Sequence, residues 1–379
     1  MRGLLALCCV SCVALVVGMR AQAPRDADPL PRRAWFGVAV GPHERGAVVT
    51  GVTPGSPAAE DGVRVGDVIT TVDDRAIHAP GDVPAAIGRH RPGESASLEI
   101  IREGGAPERR PVRLRPFPLE TMTGATFEYA SVVLPTGIRL RTIVSLPESR
   151  PRPLPALLFL QGGGCSSVDQ PFAAKDEGPV ELIRTATARG FVTMRVEKSG
   201  LGDSQGPPCS AIGYEEELSG YRAALAALKR HPAVDPMRVD LLGLSLGGFF
   251  APIVARESPV RSIVAYGTLS MPPSPYDGRS ERFFREIATV DVLAAWSAVD
   301  ARVLALHGQF DEVARAADHE QIAAVVNARH PGRAVYQQLE GLDHCWTRHE
   351  SMSASQGHCG NGQKVSAFSD AVFGFLTSG

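Results

Sequence analysis

Lysine is nearly missing from this sequence: Lys175, Lys198, Lys229 and Lys364 are the only four in 379 residues. The shortage reflects a coding preference for arginine and carries no function. No sign of charge dominates either, since 39 Lys and Arg face 41 Asp and Glu for a formal net charge of -2. The chain thus lacks the basic balance of a nucleic-acid-binding protein and the field that draws a protein to an anionic membrane. Aromatic residues are sparse at 6%, yet 44% of residues are hydrophobic and 21% charged, which excludes a chain dominated by disorder and suffices for two domains with cores. Long apolar runs are absent, with one exception at the start.

That exception is Leu4 to Val17, preceded by Met1-Arg2 and followed by small and polar residues from Gly18 to Ala27. This is the layout of a secretory signal peptide, and the run is too short to span a bilayer comfortably. Ala21-Gln22-Ala23 fits the small-x-small cleavage pattern, although Pro24 beside it is awkward, so the cut falls between Gly18 and Ala27 and residues 1–23 are assigned to the signal. An uncleaved anchor helix and a lipid-anchored Cys12 are the competing readings. The mature chain is expected to be exported, to the periplasm or the exterior, with no stable membrane span. Of seven cysteines, Cys8, Cys9 and Cys12 leave with the signal; Cys165, Cys209, Cys345 and Cys359 remain. An even number in an exported chain reads as disulfides, in one of three pairings.

Residues 24–34 form a Pro/Arg/Asp-rich linker without periodicity, expected to be mobile. From Trp35 to about Pro116 short β-type runs (Phe36 to Val40, Ala47 to Val52, Val68 to Val72, Ser97 to Arg102) alternate with Gly, Pro and Asp turns. Two helix starts lie among them, at Ser56-Pro57-Ala58-Ala59-Glu60 and Asp82-Val83-Pro84-Ala85-Ala86-Ile87, where Ser56 and Asp82 are placed to accept orphan backbone N–H groups. Three pieces of this segment, Trp35-Phe36-Gly37-Val38, Gly55-Ser56-Pro57-Ala58-Ala59 and Gly66-Asp67-Val68-Ile69, together resemble a PDZ domain of the permuted type found beside bacterial envelope proteases. The resemblance implies that Trp35, Phe36, Gly37 and Val38 form a carboxylate-binding loop, beside a strand edge that accepts a protein C-terminus or extended peptide. The plainer alternative is a PDZ fold that only packs on its neighbour.

Pro116-Phe117-Pro118 reads as a joint, and residues 117–379 follow another pattern. Phe127 to Leu134 and Ile138 to Leu146 read as a hairpin. Strands then alternate with helical stretches: Ala156 to Leu160, Phe191 to Val196, Val239 to Leu242, Ser262 to Tyr266, Val303 to His307 and Ala334 to Leu339. Such alternation implies an α/β class, a parallel sheet covered on both faces with its site at the carboxyl ends of the strands.

The chemically informative residues fall at those ends. Gly243-Leu244-Ser245-Leu246-Gly247-Gly248 follows a strand and opens a helix, the setting of a nucleophile elbow. Serine is a weak nucleophile at neutral pH and needs a base within hydrogen-bond reach and a third group to orient that base. After the next strands but one come Asp311, with Glu312 as its rival acid, and then His344, with His349 and His358 as less well-placed bases. Catalytic residues are therefore expected at Ser245, Asp311 and His344. Backbone N–H groups of Leu246 and of Gly163, with Gly164 a close second, are expected to receive the oxyanion, because Gln161-Gly162-Gly163-Gly164 follows an early strand.

These motifs across about 260 residues resemble the α/β-hydrolases, nearest to bacterial esterases and acyl-peptidase-like relatives of the prolyl oligopeptidases. Glu197-Lys198-Ser199 departs from the family's commoner Asp-x-Arg, and Gln161 stands where many members carry His. In that fold Cys165 with Cys209, and Cys345 with Cys359, would each tie loops on one face. The second pairing is favoured over a zinc site built from His344, Cys345, His349, His358 and Cys359. Residues 271–300 are an insertion, a candidate lid whose Phe283, Phe284, Leu293 and Trp296 either line a pocket or pack on the body. The resemblance implies a serine hydrolase of small acyl substrates, esters before thioesters or short peptides, with no metal or cofactor. A peptidase with PDZ-mediated recruitment, or a silent PDZ-containing binding protein, are its rivals.

Overall fold

The computed structural model describes residues 29–102, 105–173 and 178–378. The signal peptide, its cleavage site, Cys8, Cys9 and Cys12 lie outside the described residues.

The first unit is a small antiparallel sheet in the order Val38–His43, Gly46–Val52, Val68–Val72, Ser95–Ile101 and Glu108–Arg113, with Arg75–Ala76 paired beside the third strand. Alternation builds its core: in Ser95–Ile101 the residues Ala96, Leu98 and Ile100 are buried and join Ile69, Val72, Val83 and Ile87 under the helices Pro57–Glu60 and Asp82–Ile87. Ser56 caps the first helix as expected, accepting from Ala59 N at 3.2 Å. Asp82 does not cap the second. That helix begins at Asp82 itself, and its carboxylate turns back to accept from His78 N and Ala79 N, two donors already exposed by the preceding turn.

The second unit is an eight-stranded sheet in the spatial order Ala334–Leu339, Arg302–Gly308, Ser262–Tyr266, Val234–Leu244, Leu154–Leu160, Val192–Val196, Arg139–Pro147 and Ala125–Val133. The last two are the antiparallel hairpin and the other six run parallel. This is the α/β-hydrolase fold. The period of two divides each central strand between two cores: Leu157 and Phe159 face the helices Gly178–Ala188 and Ala367–Thr377, while Ala156, Leu158 and Leu160 face Tyr214–Arg230, Leu246–Glu257 and Ala316–Arg329. Strand order reverses about Leu154–Leu160, whose successor Val192–Val196 lies on one side and Val234–Leu244 on the other, which opens a crevice at their carboxyl ends.

One expectation changes. The linker is not loose throughout: Leu30 is buried, Arg32 pairs with Asp169 at 2.8 Å and with Asp203 at 2.5 Å, and Arg33 N donates to Asp203 at 2.8 Å. Arg141 closes this cluster, 3.0 Å from Asp203 and donating to Leu30 O at 2.5 Å. Composition concealed this because the partner carboxylates lie more than a hundred residues downstream. The helical part of the insertion, Glu281–Ile287 and Val292–Ser297, follows the second of its two readings and packs on the body, with Phe283 and Trp296 fully buried. Its proline-rich beginning, with Met271, Pro272 and Pro273, lines a cavity.

Asp203 has both oxygens engaged by cations or N–H groups and no exposed surface on its side chain. Asp203→Asn removes the charge that offsets Arg141, so the free energy of unfolding in urea should drop by about 3 kcal/mol, with the slope against urea unchanged.

Candidate active site

Strand Val234–Leu244 ends at Leu244, and helix Leu246–Glu257 begins two residues later, so Ser245 must turn the chain alone. It does so at φ 52 and ψ -123, a conformation that a side chain resists and that only the packed surroundings can impose. Gly247 shows the tightness of that packing, because a methyl on its α-carbon would come within 2.0 Å of Leu160 O. Ser245 N donates to Tyr266 O at 2.8 Å, which fastens the turn to the neighbouring strand.

Tyr266 also reaches the histidine loop. Its hydroxyl donates to Asp343 O at 2.5 Å, and the next residue, Gly267, lies beneath both His344 and Asp311. His344 Nδ1 is 2.8 Å from Asp311 Oδ2, and the other Asp311 oxygen accepts from Val313 N and Ala314 N at 2.8 and 2.9 Å. The imidazole therefore keeps Nε2 for another partner. Ser245 Oγ is not that partner here: among the described residues no hydrogen bond joins Ser245 to His344.

The rivals are accounted for. Glu312 accepts from Gly357 N at 3.3 Å, and among the described residues no ion pair joins it to a histidine. His349 Nε2 bonds Asp343 at 2.9 Å, and His358 turns to Gln356 O at 2.7 Å. Asp343 is a residue that sequence reasoning overlooked. Burial works to raise its pKa, but the Thr347 hydroxyl and the N–H groups of Gly360 and Thr347 hold it below the usual carboxylate range, fixing the loop that carries His344. Disulfides join Cys165 to Cys209 and Cys345 to Cys359, the expected pairing, so neither thiol of the alternative zinc set is free.

Ser245, Leu246, Gly163 and Gly164 line a cavity of about 580 Å³, walled by Phe249, Leu269, Met271, Pro272, Pro273, Tyr276 and Val313. Tyr276, from the start of the insertion, sits directly over Gly163, and nothing in its local sequence signalled this. Glu197 and Ser199 stay outside the cavity. Glu197 accepts from the Ser167 hydroxyl, and Ser199 donates to Gln205 O and Pro207 O.

In the first unit, Phe36 is a core residue and Trp35 stacks on Phe172 of the second unit, ring centroids 5.4 Å apart. Gly37 and Val38 lie where the outermost strand begins, with Gly37 O accepting from Thr53 N at 2.9 Å. The loop's two aromatic side chains thus anchor it, and its backbone meets the sheet edge.

Residues 34–108 match the family model described as PDZ domain. A probable periplasmic serine endoprotease DegP-like of Halomonas elongata is 33% identical over 84 residues, which are 19% of this chain and 18% of that protein. The magnetosome formation protease MamE of Paramagnetospirillum magneticum is 41% identical over 231 residues, 56% of this chain and 28% of that protein. The chain thus spans less than a third of the length of either relative. Among solved structures, a hypothetical protein of Pseudomonas aeruginosa, PA2218, superposes with a TM-score of 0.50 at 15% identity, over 69% of this chain and 95% of that one. At that identity the likeness concerns fold alone.

Behind Asp311, the buried His319 accepts from Thr268 N at 3.1 Å through Nε2, and burial lowers its pKa from 6.5 to about 4. An unfolded chain takes up a proton here below pH 6.5 that the folded chain refuses, so this contribution is complete above pH 6.5 and lost as the pH falls toward 4. The wild type should lose about 3 kcal/mol more than His319→Gln over that interval, measured by urea unfolding at stepped pH.

Proposed function

From a PDZ domain joined to an α/β-hydrolase fold, we propose an exported serine hydrolase that cleaves carboxylic esters through an acyl-enzyme. The observation that carries this is the Asp311–His344 contact at 2.8 Å, on loops that Tyr266 ties to the strained turn of Ser245.

In the proposed reaction Ser245 Oγ attacks the ester carbonyl carbon, its proton passes to His344 Nε2, and the carbonyl π pair moves onto oxygen. Leu246 N–H and Gly163 N–H receive that oxyanion. Collapse expels the alcohol, which takes the proton from His344, and water then repeats the sequence to release the acid. Asp311 keeps Nδ1 protonated and steadies the imidazolium. No step needs a metal or organic cofactor.

The cavity supports a small acyl group, since Leu246, Phe249, Leu269, Met271 and Val313 offer apolar walls, while Ser274, Arg315 and Asp318 make up a polar part of the lining. Thioesters and short or acylated peptides are the next candidates. The relatives, one named a probable periplasmic serine endoprotease and the other a magnetosome formation protease, favour a second reading, in which the PDZ edge beside Gly37 and Val38 captures a protein C-terminus or extended peptide and presents it to Ser245. The periplasmic naming of the first of these, together with the apolar run at Leu4 to Val17, also supports export. A catalytically silent binding protein is the third reading, distinguished by refusing a fluorophosphonate label.

In the test, a fluorophosphonate probe should label the wild type and leave Ser245→Ala unlabelled. Ser245→Ala and His344→Ala should each lower kcat on p-nitrophenyl esters by about 10⁴-fold or more. Faster turnover of peptide amides than of esters would move the assignment to a peptidase, and no labelling at all would overturn it.

A further inference from the structure

Four consecutive carbonyls of the glycine-rich loop, from Gln161 to Gly164, accept hydrogen bonds from side chains belonging to three separate parts of the second unit. Tyr221 Oη donates to Gln161 O at 3.1 Å, from helix Tyr214–Arg230. Lys198 Nζ, after strand Val192–Val196, donates to Gly162 O at 2.5 Å and to Gly164 O at 2.9 Å. Arg279 Nη1, from the insertion, donates to Gly163 O at 3.2 Å. Both cations meet one carboxylate: Glu217 Oε1 is 3.0 Å from Lys198 Nζ, and Oε2 pairs with Arg279 Nη2.

The side chains of Lys198, Glu217 and Arg279 are only 1–2% exposed. Burial pushes the Lys198 ammonium below its ordinary pKa while Glu217 beside it pulls the other way. An apolar cluster of the same volume would stabilise the fold at least as well, because each buried ion costs several kcal/mol before its partners offset it. These charges do what apolar side chains cannot. Lys198 and Arg279 place N–H donors under the loop, and the carbonyl dipoles turn their negative ends toward them.

The peptide groups then dictate the other face. Among the described residues the only cis peptide is Arg152–Pro153, so the bonds joining Gly162, Gly163 and Gly164 are trans. In a trans peptide the N–H points opposite to the C=O. With the Gly162 and Gly163 carbonyls held by Lys198 and Arg279, the N–H groups of Gly163 and Gly164 face away from the cations, and both residues line the cavity with Ser245 and Leu246. Polarisation by the cations also makes these N–H groups better donors.

We infer that Lys198, Glu217 and Arg279 are positioning residues that hold Gly163 and Gly164 N–H groups ready for an oxyanion formed on Ser245, an assignment that rests on the serine hydrolase reading. It gives the insertion a role in turnover through Arg279, without any closing motion.

Lys198→Met and Arg279→Met test it, since in each the remaining cation still neutralises Glu217 and no buried charge is left unpaired. On p-nitrophenyl acetate each variant of the mature full-length protein should lose about 10- to 100-fold in kcat, with KM within about 3-fold of wild type. Affinity for an arylboronic acid, which mimics the tetrahedral intermediate, should weaken in parallel. Crystal structures of the two variants should show the Gly162 to Gly164 peptides rotated from their wild-type orientation. Wild-type kcat in both variants, or a loss explained by the folded fraction in a thermal melt, would overturn the inference, as would an unmoved loop. A rotated loop in a protein whose wild type shows no Ser245-dependent hydrolysis would count against the hydrolase reading and leave the clamp in place.

Discussion

Tyr266 is where the site is held together. Its carbonyl takes the N–H of Ser245, its hydroxyl holds the carbonyl of Asp343 beside His344, and Gly267 after it leaves room for the imidazole and the Asp311 carboxylate. Strand Ser262–Tyr266 lies between Val234–Leu244 and Arg302–Gly308, so one strand end touches both the turn of Ser245 and the loop of Asp311. Because Ser245 occupies a strained conformation, that hydrogen bond and the close packing at Gly247 must together overcome a cost of order 1–3 kcal/mol. The remainder of the site is arranged around this fixed point.

Two of the clusters of buried charge among the described residues serve different ends. Near the domain junction, Asp169 and Asp203 gather Arg32, Arg33 and Arg141, so that the segment before Trp35 is bound to the second unit. Trp35 stacks on Phe172 in the same region, and residues 32–38 run without a break from that cluster to the outermost strand of the first unit. Under the glycine loop, Lys198, Glu217 and Arg279 act on backbone dipoles. In the first case geometry joins two units; in the second it orients peptide groups. Neither cluster is an argument for stability by itself, since desolvation takes back much of what pairing provides.

The departure of Glu197-Lys198-Ser199 from the commoner family pattern acquires a physical meaning in this setting. Substrate contact is not involved, because all three side chains turn inward: Glu197 to Ser167, Ser199 to the carbonyls of Gln205 and Pro207, Lys198 to the glycine loop. A lysine in that position can span two carbonyls at once with a compact ammonium.

Much was legible in the linear chain because local rules govern it. Ser262–Tyr266, Val68–Val72 and Ala334–Leu339 match their expected strands residue for residue, since unbroken or alternating apolar runs bounded by turns have few other solutions. Chain order and strand endings singled out Ser245, Asp311 and His344, and the even number of cysteines beyond the apolar run implied disulfides. What pairs with what across the fold had no such signature. The docking of Arg32 on Asp203, the burial of Phe283 and Trp296, the place of Tyr276 over Gly163 and the three-sided hold on the glycine loop all join residues tens to hundreds of positions apart. Local propensity is set by neighbours within a few residues, whereas a buried ion or an aromatic ring finds its partner only after the sheet has assembled. For that reason the residue types and their order came from sequence, and their distances, charges and directions came from the tertiary structure.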